Sequence, residues 1–584
     1  MPKVLASPFP PWLNELKRHG EEDYPRYIWY IYLGFFALAT FINVCSKLWV
    51  WHRRRNASSI RSSYPTVKDG SSASRLPMAL LTASRIVGYR WRIPAVNMAV
   101  VEMLLISAYI VILFSFEFCN TQGLVLRYFA NRAGHIAGVQ FPLIVALSSK
   151  NNMVQLLTGV SHEKLNLMHR VTSRVTLVMV WIHWWSRYVT EMDFFEEAWI
   201  TCGLFAGITF SLLTLISFQP IRKRFYEFFY ISHVFLVMVF LVLAIIHCAG
   251  ASPGMPFYIY PCFIVWGFDR LCRFTRYVVM NNFIKPKASA GELELLNHDT
   301  LRLKIKRRIP LGWRAGQHAF LAFPTLNPTQ SHPFTIATIP DGESKEQVLM
   351  FVIRVREGFT KRMRDHVHAN GIGHLPVFMD GPYGAPPDIT PFETCIFIAG
   401  GSGISYILPR FHEIIKQASA EKACARRIAF VWAIREPSHM RWLSENLTTI
   451  LASAPSTLDI SVSIFITNTS QQESPSLDDP SSKRSSATDI EKQHDLGSGD
   501  EKVSEKDTDT LETLGVELYT GRPDVHKILE AQVKASVGPV SVDVSGPTPL
   551  VSAVRSALSS SFAGPMNVLK GGPMIQLNVE NFTM

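Results

Sequence analysis

Charge is scarce in this chain, and so is cysteine. Only 18% of its 584 residues are Asp, Glu, Lys or Arg, against about 25% in an ordinary soluble protein, while 48% are hydrophobic. That balance excludes a largely disordered chain. The eight cysteines contain no Cys-x-x-Cys pair, which excludes a dense disulfide framework and a thiolate zinc site of the usual spacing. Any redox chemistry here needs other ligands.

The charge that is present is unevenly placed. Residues 1–284 carry 27 Lys+Arg against 14 Asp+Glu, and residues 285–584 carry 31 against 33. The basic excess therefore lies in the apolar half, where it reads as membrane topology. A nucleic-acid surface would need it on a soluble face with stacking aromatics, so nucleic acid is not an expected partner. Apolar runs long enough to cross about 30 Å of hydrocarbon occur at 27–51, 98–118, 137–157, 165–188, 199–218, 225–247 and 257–274. This predicts about seven spans, the third interrupted by Lys150, Asn151 and Asn152. The first run begins late and is long enough to span, so it is expected to stay as a span and not to be a cleaved leader. Residues 52–97 hold nine Lys+Arg and one acid, Arg222, Lys223 and Arg224 follow span five, and Arg270, Arg273 and Arg276 lie at the end of span seven. These segments are expected in the cytosol, with the N-terminus and the acidic loop Glu191, Asp193, Glu196, Glu197 outside and everything after about 277 cytosolic.

Four histidines fall inside the spans. His169 and His183 lie on span four and His233 and His247 on span six, each pair 14 positions apart. At 100° per residue that returns to within about 40° of one face, with a rise of about 21 Å. Both helices run from inside to outside in this topology, so His169 levels with His233 and His183 with His247. Two such pairs stacked across a membrane are what two b-type haems require of their axial ligands. A single histidine would read as a packing residue, but ionisable groups at membrane depth are costly and rarely idle. Arg170 and Arg174 either pair with haem propionates or anchor the inner leaflet, and both readings stay open.

After about residue 285 the pattern becomes short alternating runs such as LRLKIK and AFLAF, which predict a small antiparallel barrel. In it stand His332, Pro333, Phe334 and Thr335 of HPFTIAT, and Gly358, Phe359 and Thr360 of GFTKRM. These supply an aromatic face, a polar edge and a glycine turn into a helix whose free N–H groups, with the Thr360 hydroxyl, suit a flavin and its phosphate. From Glu393 apolar strands alternate with helices, predicting a parallel α/β sheet. The turn Gly400, Gly401, Ser402, Gly403, Ile404 follows a buried strand and precedes a helix, which suits a dinucleotide pyrophosphate, although it is not the G-x-G-x-x-G pattern. Arg435, at the end of a following strand, is placed to read a ribose phosphate and so favour NADPH, or is a surface arginine. Ser545, Gly546 and Pro547 close another strand at the edge where nicotinamide should meet flavin. Residues 469–511 are rich in Ser, Asp, Glu and Lys with no aromatic residue and are expected to be a disordered insertion.

Together these residues resemble the fungal ferric/cupric reductase family, relatives of the NADPH oxidases. The likeness runs from about Asn131 to the C-terminus and is carried by TGVSHEKLNLMHR, the four paired histidines, HPFTIAT, DGPYG and GGSGIS. The resemblance implies a six-span bis-haem domain made of spans two to seven, followed by FAD and NADPH domains like those of ferredoxin–NADP reductases. The expected boundaries are 1–97 (tail, first span and basic loop), 98–276 (haem domain), 277–390 (FAD-binding barrel) and 391–584 (NADPH-binding domain with the insertion). It also implies that His332, Phe334 and Thr335 hold the flavin phosphate, ring and N5 edge, and that Phe582 covers the other ring face. Two departures are Ser545, where many relatives have cysteine, and His162, where tyrosine is common.

The expected function is a plasma-membrane metalloreductase, with the vacuolar membrane as the alternative location. Electrons would pass from NADPH through FAD and two b-type haems to external Fe³⁺ or Cu²⁺ ions or chelates, with a separate metal permease or oxidase as partner. Two other readings stay open: an NADPH oxidase delivering electrons to O₂, and a seven-span receptor or transporter without electron transfer.

Overall fold

The computed structural model describes residues 11–584 except 64–74, 94–95, 97, 122–125, 191–196, 253, 282–288, 311, 329, 343–345, 443, 469–514 and 581–584. Most of the acidic loop, the insertion and Phe582 thus lie outside the described residues. The chain forms two compact units, Met1–Trp49 with Arg92–Val279 and Val50–Trp91 with Met280–Met584. The stretch 1–97, expected as one region, is divided between them.

The first unit is helical. Among the described residues, four helices are long and apolar enough to cross a membrane by length and composition: Trp12–Arg55, Val100–Phe118, Ala198–Ile216 and Tyr226–Ala251. His162–Thr190 and Tyr260–Asn281 cover two further expected spans. They are more polar, the first through its histidines with Arg170, Arg174 and Arg187, the second through Asp269, Arg270, Arg273 and Arg276. The expected third span, 137–157, is not one helix. The chain there forms Leu126–Gly138, Phe141–Ser148 and Met153–Thr158. It breaks after Ser148 because Asn152 caps the next helix, its side chain accepting from Gln155 N (3.2 Å) and donating to Ala146 O (2.8 Å). Asn151 meanwhile donates its backbone N–H to Asp269 Oδ1 (2.7 Å) and accepts from Arg276 (2.6 Å). In the apolar centre Phe240 packs against Phe141 and Phe210, with ring centroids 4.9 and 5.1 Å apart.

The second unit holds two six-stranded sheets. The first contains β1 (Ser289–Asn297), β2 (Thr300–Arg307), β3 (His318–Ala322), β4 (Ser331–Thr335), β5 (Gln347–Arg354) and β6 (Gly373–Tyr383), antiparallel throughout in the order β4-β3-β6-β1-β2-β5. Alternation decides its inner face: Leu301, Leu303 and Ile305 of β2 are fully buried while Arg302, Lys304 and Lys306 point away. Just past β4, Ala337 N donates to Met350 O of β5 (2.8 Å), so the two edges of the sheet meet there.

The second sheet is parallel: β7 (Thr394–Gly400), β8 (Arg427–Ile434), β9 (Asp459–Ile466), β10 (Val516–Thr520), β11 (Val540–Ser545) and β12 (Ile575–Glu580), in the order β10-β9-β8-β7-β11-β12. β7 is buried along its whole length, with Phe397 packed against Phe411 of the helix Ile404–Ser419, and Ile396 and Ile398 in a separate core with Val551 and Val554. Both faces being covered explains its unbroken apolar run. The chain lays β8, β9 and β10 to one side of β7 and then crosses to place β11 on the other. The reversal opens a crevice at the carboxyl ends of β7 and β11.

Under this crevice lies an ion pair that local sequence patterns do not reveal. Arg410 of the helix Ile404–Ser419 donates to Asp543 of β11 (2.7 Å), and both side chains are fully buried. Arg410 also donates to Pro387 O (2.9 Å), and Asp543 accepts from Ser541 (2.9 Å). Burial works against the charge on Arg410, but Asp543, joined by Tyr406 and Glu413, outweighs it and raises the guanidinium pKa. Removing one partner strands the other, so Asp543→Ala should cost about 3–5 kcal/mol. Chemical unfolding of the second unit in the intact protein checks this, and a loss below about 1 kcal/mol would mean the pair contributes little.

Candidate functional site

In the first unit the structure brings the four span histidines together in two pairs. The rings of His169 and His233 have centroids 6.4 Å apart, and those of His183 and His247 6.1 Å apart. An iron bound between two imidazole nitrogens requires about 6.2 Å, from two metal–nitrogen bonds of about 2 Å and two ring radii of about 1.1 Å. The second ring nitrogens are engaged as such ligands need. His169 Nδ1 donates to Ile144 O (2.9 Å), His183 Nδ1 to Ala130 O (2.7 Å) and His247 Nδ1 to Trp199 O (3.0 Å), while His233 Nδ1 lies 3.4 Å from Ser217 Oγ. A proton fixed on Nδ1 leaves the Nε2 lone pair for a metal, and the same bond sets the ring's orientation. The residues thus fit two haems in spacing and in tautomer. Arg170 is half-buried, and Arg174 is exposed with its guanidinium 5.5 Å from the Phe218 ring centroid.

Sequence reasoning missed the glycines beneath the His183–His247 pair. A Cβ on Gly134 would lie 2.8 Å from His183 Nδ1, and one on Gly203 would collide with the His247 ring. Each imidazole of this pair is seated on a glycine of another helix, a relation no local pattern displays. If each histidine pair holds one haem, Gly203→Leu should displace His247 and cost about half of the haem per chain, with that of the His169–His233 pair retained. Haem content by pyridine haemochrome measures this, and full occupancy would show that the imidazole tolerates the side chain.

In the second unit the two glycine turns of the crevice touch. A Cβ on Gly403 would strike the Ser545 carbonyl, one on Gly400 would meet Pro547 and Leu550, and one on Gly546 would lie 3.0 Å from Gly400 Cα. Ser402 and Ile404 continue the turn into the helix, and Gly401 has φ +54°, a conformation that glycine adopts without strain. Backbone packed this closely at a helix start is a cradle for a pyrophosphate. Ser545 is fully buried, and its hydroxyl has no hydrogen-bond partner among the described residues. Arg435 is exposed just beyond β8. β12 pairs with β11 so that Glu580 stands opposite Ser545, two residues before Phe582.

On β4, His332, Pro333 and Phe334 are half-buried and Thr335 is buried. His332 stacks on Phe359, centroids 4.4 Å apart. Gly358, at φ +79°, turns the chain into the helix Phe359–Asn370. The Thr360 hydroxyl, expected to help hold phosphate, closes its own turn instead. It accepts from Arg356 N (2.7 Å) and donates to Arg356 O (3.0 Å), while the first backbone N–H groups of the helix have no intrahelical acceptor.

Comparison with known proteins agrees with this division. Residues 133–244 match a ferric reductase like transmembrane component, 286–387 an FAD-binding domain and 392–559 a ferric reductase NAD binding domain. Among curated proteins the chain is 29% identical over 456 residues to ferric/cupric reductase transmembrane component 2 of Saccharomyces cerevisiae, covering 74% of this chain and 59% of that one. It is 29% identical to ferric reductase transmembrane component 3 of the same yeast (74% and 58%). To ferric/cupric reductase transmembrane component 1 of Candida albicans it is 25% identical (74% and 55%). The chain thus spans under three-fifths of the length of these relatives. Among solved structures, the ferredoxin reductase in carbazole 1,9a-dioxygenase is similar over 50% of this chain and 69% of that one, at 15% identity and a TM-score of 0.31, too distant to bear on the fold. In order along the chain, the three matches correspond to the transmembrane, flavin and nucleotide components of ferric reductases.

Proposed function

We propose that this protein moves electrons from cytosolic NADPH across a membrane to Fe³⁺ or Cu²⁺, as ions or chelates, in support of metal uptake. The observation that carries the reading is the two imidazole pairs, 6.4 and 6.1 Å apart, with Nδ1 of three rings bonded to backbone carbonyls. Residues 98–276 form the haem domain, 277–390 the FAD domain and 391–584 the NADPH domain. The membrane is the plasma membrane, with the N-terminus outside, and a separate permease or oxidase takes up the reduced metal. FAD supplies the conversion of a two-electron hydride into single electrons and the haems supply one-electron carriage, as acceptors that each take one electron demand.

The chain's own residues bind and orient. The turns at Gly400–Gly403 and Ser545–Pro547 hold the NADPH pyrophosphate and direct the nicotinamide toward Ser545, and Arg435 reads the ribose phosphate. His332, Pro333, Phe334 and Thr335, with the helix start at Gly358–Thr360, hold the flavin, and Phe582 covers its other face. His169 with His233, and His183 with His247, hold the haem irons, and Arg170 and Arg174 meet the inner propionates. No general acid or base is needed, because an electron and not a proton is delivered to the metal.

In His169→Ala or His233→Ala protein, reduction of an external ferric chelate should fall to background, while NADPH still bleaches the flavin at the unmodified rate. Paired chelate-reduction and anaerobic flavin assays test this. Retained metal reduction would overturn the relay, and NADPH-dependent superoxide without metal reduction in the unmodified protein would assign the electrons to O₂.

Ser545 generates a second expectation. Its buried hydroxyl is smaller and harder than the sulfur many relatives carry there, and hydride transfer depends steeply on alignment. Ser545→Cys should speed flavin reduction about three- to tenfold with haem content unchanged. An equal or slower stopped-flow rate would show a pocket adapted to serine.

A further inference from the structure

The basic stretch after the first helix reads in sequence as a topological signal. In the structure residues 50–91 belong to the unit that contains the nucleotide sheet, and their arginines bond its backbone. Arg53 donates to Pro391 O (2.8 Å) and Arg61 to Thr457 O (3.1 Å), while the Cys424 thiol lies 3.6 Å from Arg53 O. On another flank the helix Leu76–Arg85 packs on the short helix Pro565–Leu569, with Ala79, Thr82 and Ile86 buried. Arg90 is only 5% exposed. It donates to the carbonyls of Leu558 and Ile575, the latter at 2.9 Å, and Arg555 returns a bond to Tyr89 O (3.1 Å). Burial, with Arg85 nearby, pushes the Arg90 pKa down to about 10, so it remains charged at neutral pH.

The two acceptors of Arg90 have a particular place in the fold. Leu558 ends the helix Thr548–Ala557, which begins directly after Gly546 and Pro547. Ile575 begins β12, whose other end, Glu580, stands opposite Ser545. One guanidinium therefore ties together the far ends of the two elements whose near ends flank the nicotinamide edge of the crevice. A helix and a strand each behave as rigid rods over this length, so fixing their far ends fixes the angle at which they meet at Ser545.

We infer that residues 76–90 are an accessory element of the nucleotide domain and that Arg90 is a positioning residue for hydride transfer. The inference rests on the reading of the crevice as the NADPH site. Misalignment would slow the transfer more than it would weaken binding, because the cradle for the pyrophosphate lies at the glycine turns and does not involve Arg90.

The test uses the full-length, FAD- and haem-loaded protein. In Arg90→Gln, anaerobic flavin reduction at saturating NADPH should slow about tenfold, with NADP⁺ affinity held within about twofold. FAD content should stay unchanged. Arg90→Lys, which keeps the charge and a donor, should restore part of the rate. Arg555→Ala leaves the buried arginine in place and should slow the same step about two- to threefold. A rate unchanged in both Arg90→Gln and Arg555→Ala would overturn the inference. So would a parallel loss of NADP⁺ affinity, FAD and rate, the signature of a merely structural residue. Failure of the unmodified protein to bleach its flavin with NADPH would instead overturn the functional reading, and the two failures are told apart by that control.

Discussion

The electron path proposed across the membrane depends on four imidazoles being held as pairs, each ring fixed through its Nδ1 side. A histidine free to rotate at membrane depth would cost desolvation energy and find other partners. Here Ile144, Ala130 and Trp199 offer carbonyls that choose the tautomer, and the ring separations of 6.4 and 6.1 Å leave room for one metal between each pair. The bundle bears the signs of that requirement: Gly134 and Gly203 have no side chain where the His183 and His247 rings lie. The helix His162–Thr190 is correspondingly too polar to look like an ordinary span.

The second unit is governed by a comparable constraint at the reversal between β7 and β11, where two backbone turns come so close that Gly400, Gly403 and Gly546 exclude any side chain. Close approach of backbone is what lets N–H groups reach a phosphate. The buried Arg410–Asp543 pair below the turns and the Arg90 bracket beyond them both act on the elements that carry Ser545. They position the crevice, while the turns form it.

Where the sequence was legible, the signal was local. Fourteen-residue spacing revealed the histidine faces, alternation in LRLKIK revealed the inner face of β2, and the run TCIFIAG revealed a strand covered on both sides. What escaped was decided by partners far along the chain. The expected third span is divided into separate helices because Asn152 caps a new one and Asn151 is held by Asp269, more than a hundred positions away. Asp543 is the one charged residue of its strand, and its partner lies 133 positions away. The arginines of residues 50–91 bond carbonyls, which leave no trace of complementary charge, so the stretch displayed only its topological meaning.

The measurement that bears most directly on this account is the haem content and ligation of the purified protein, by absorbance and by electron paramagnetic resonance of the oxidised form. The account predicts two haems per chain, both low-spin with two imidazole ligands. Protein that purifies folded, with FAD bound but without haem, or with haem in a high-spin, singly ligated state, would contradict it.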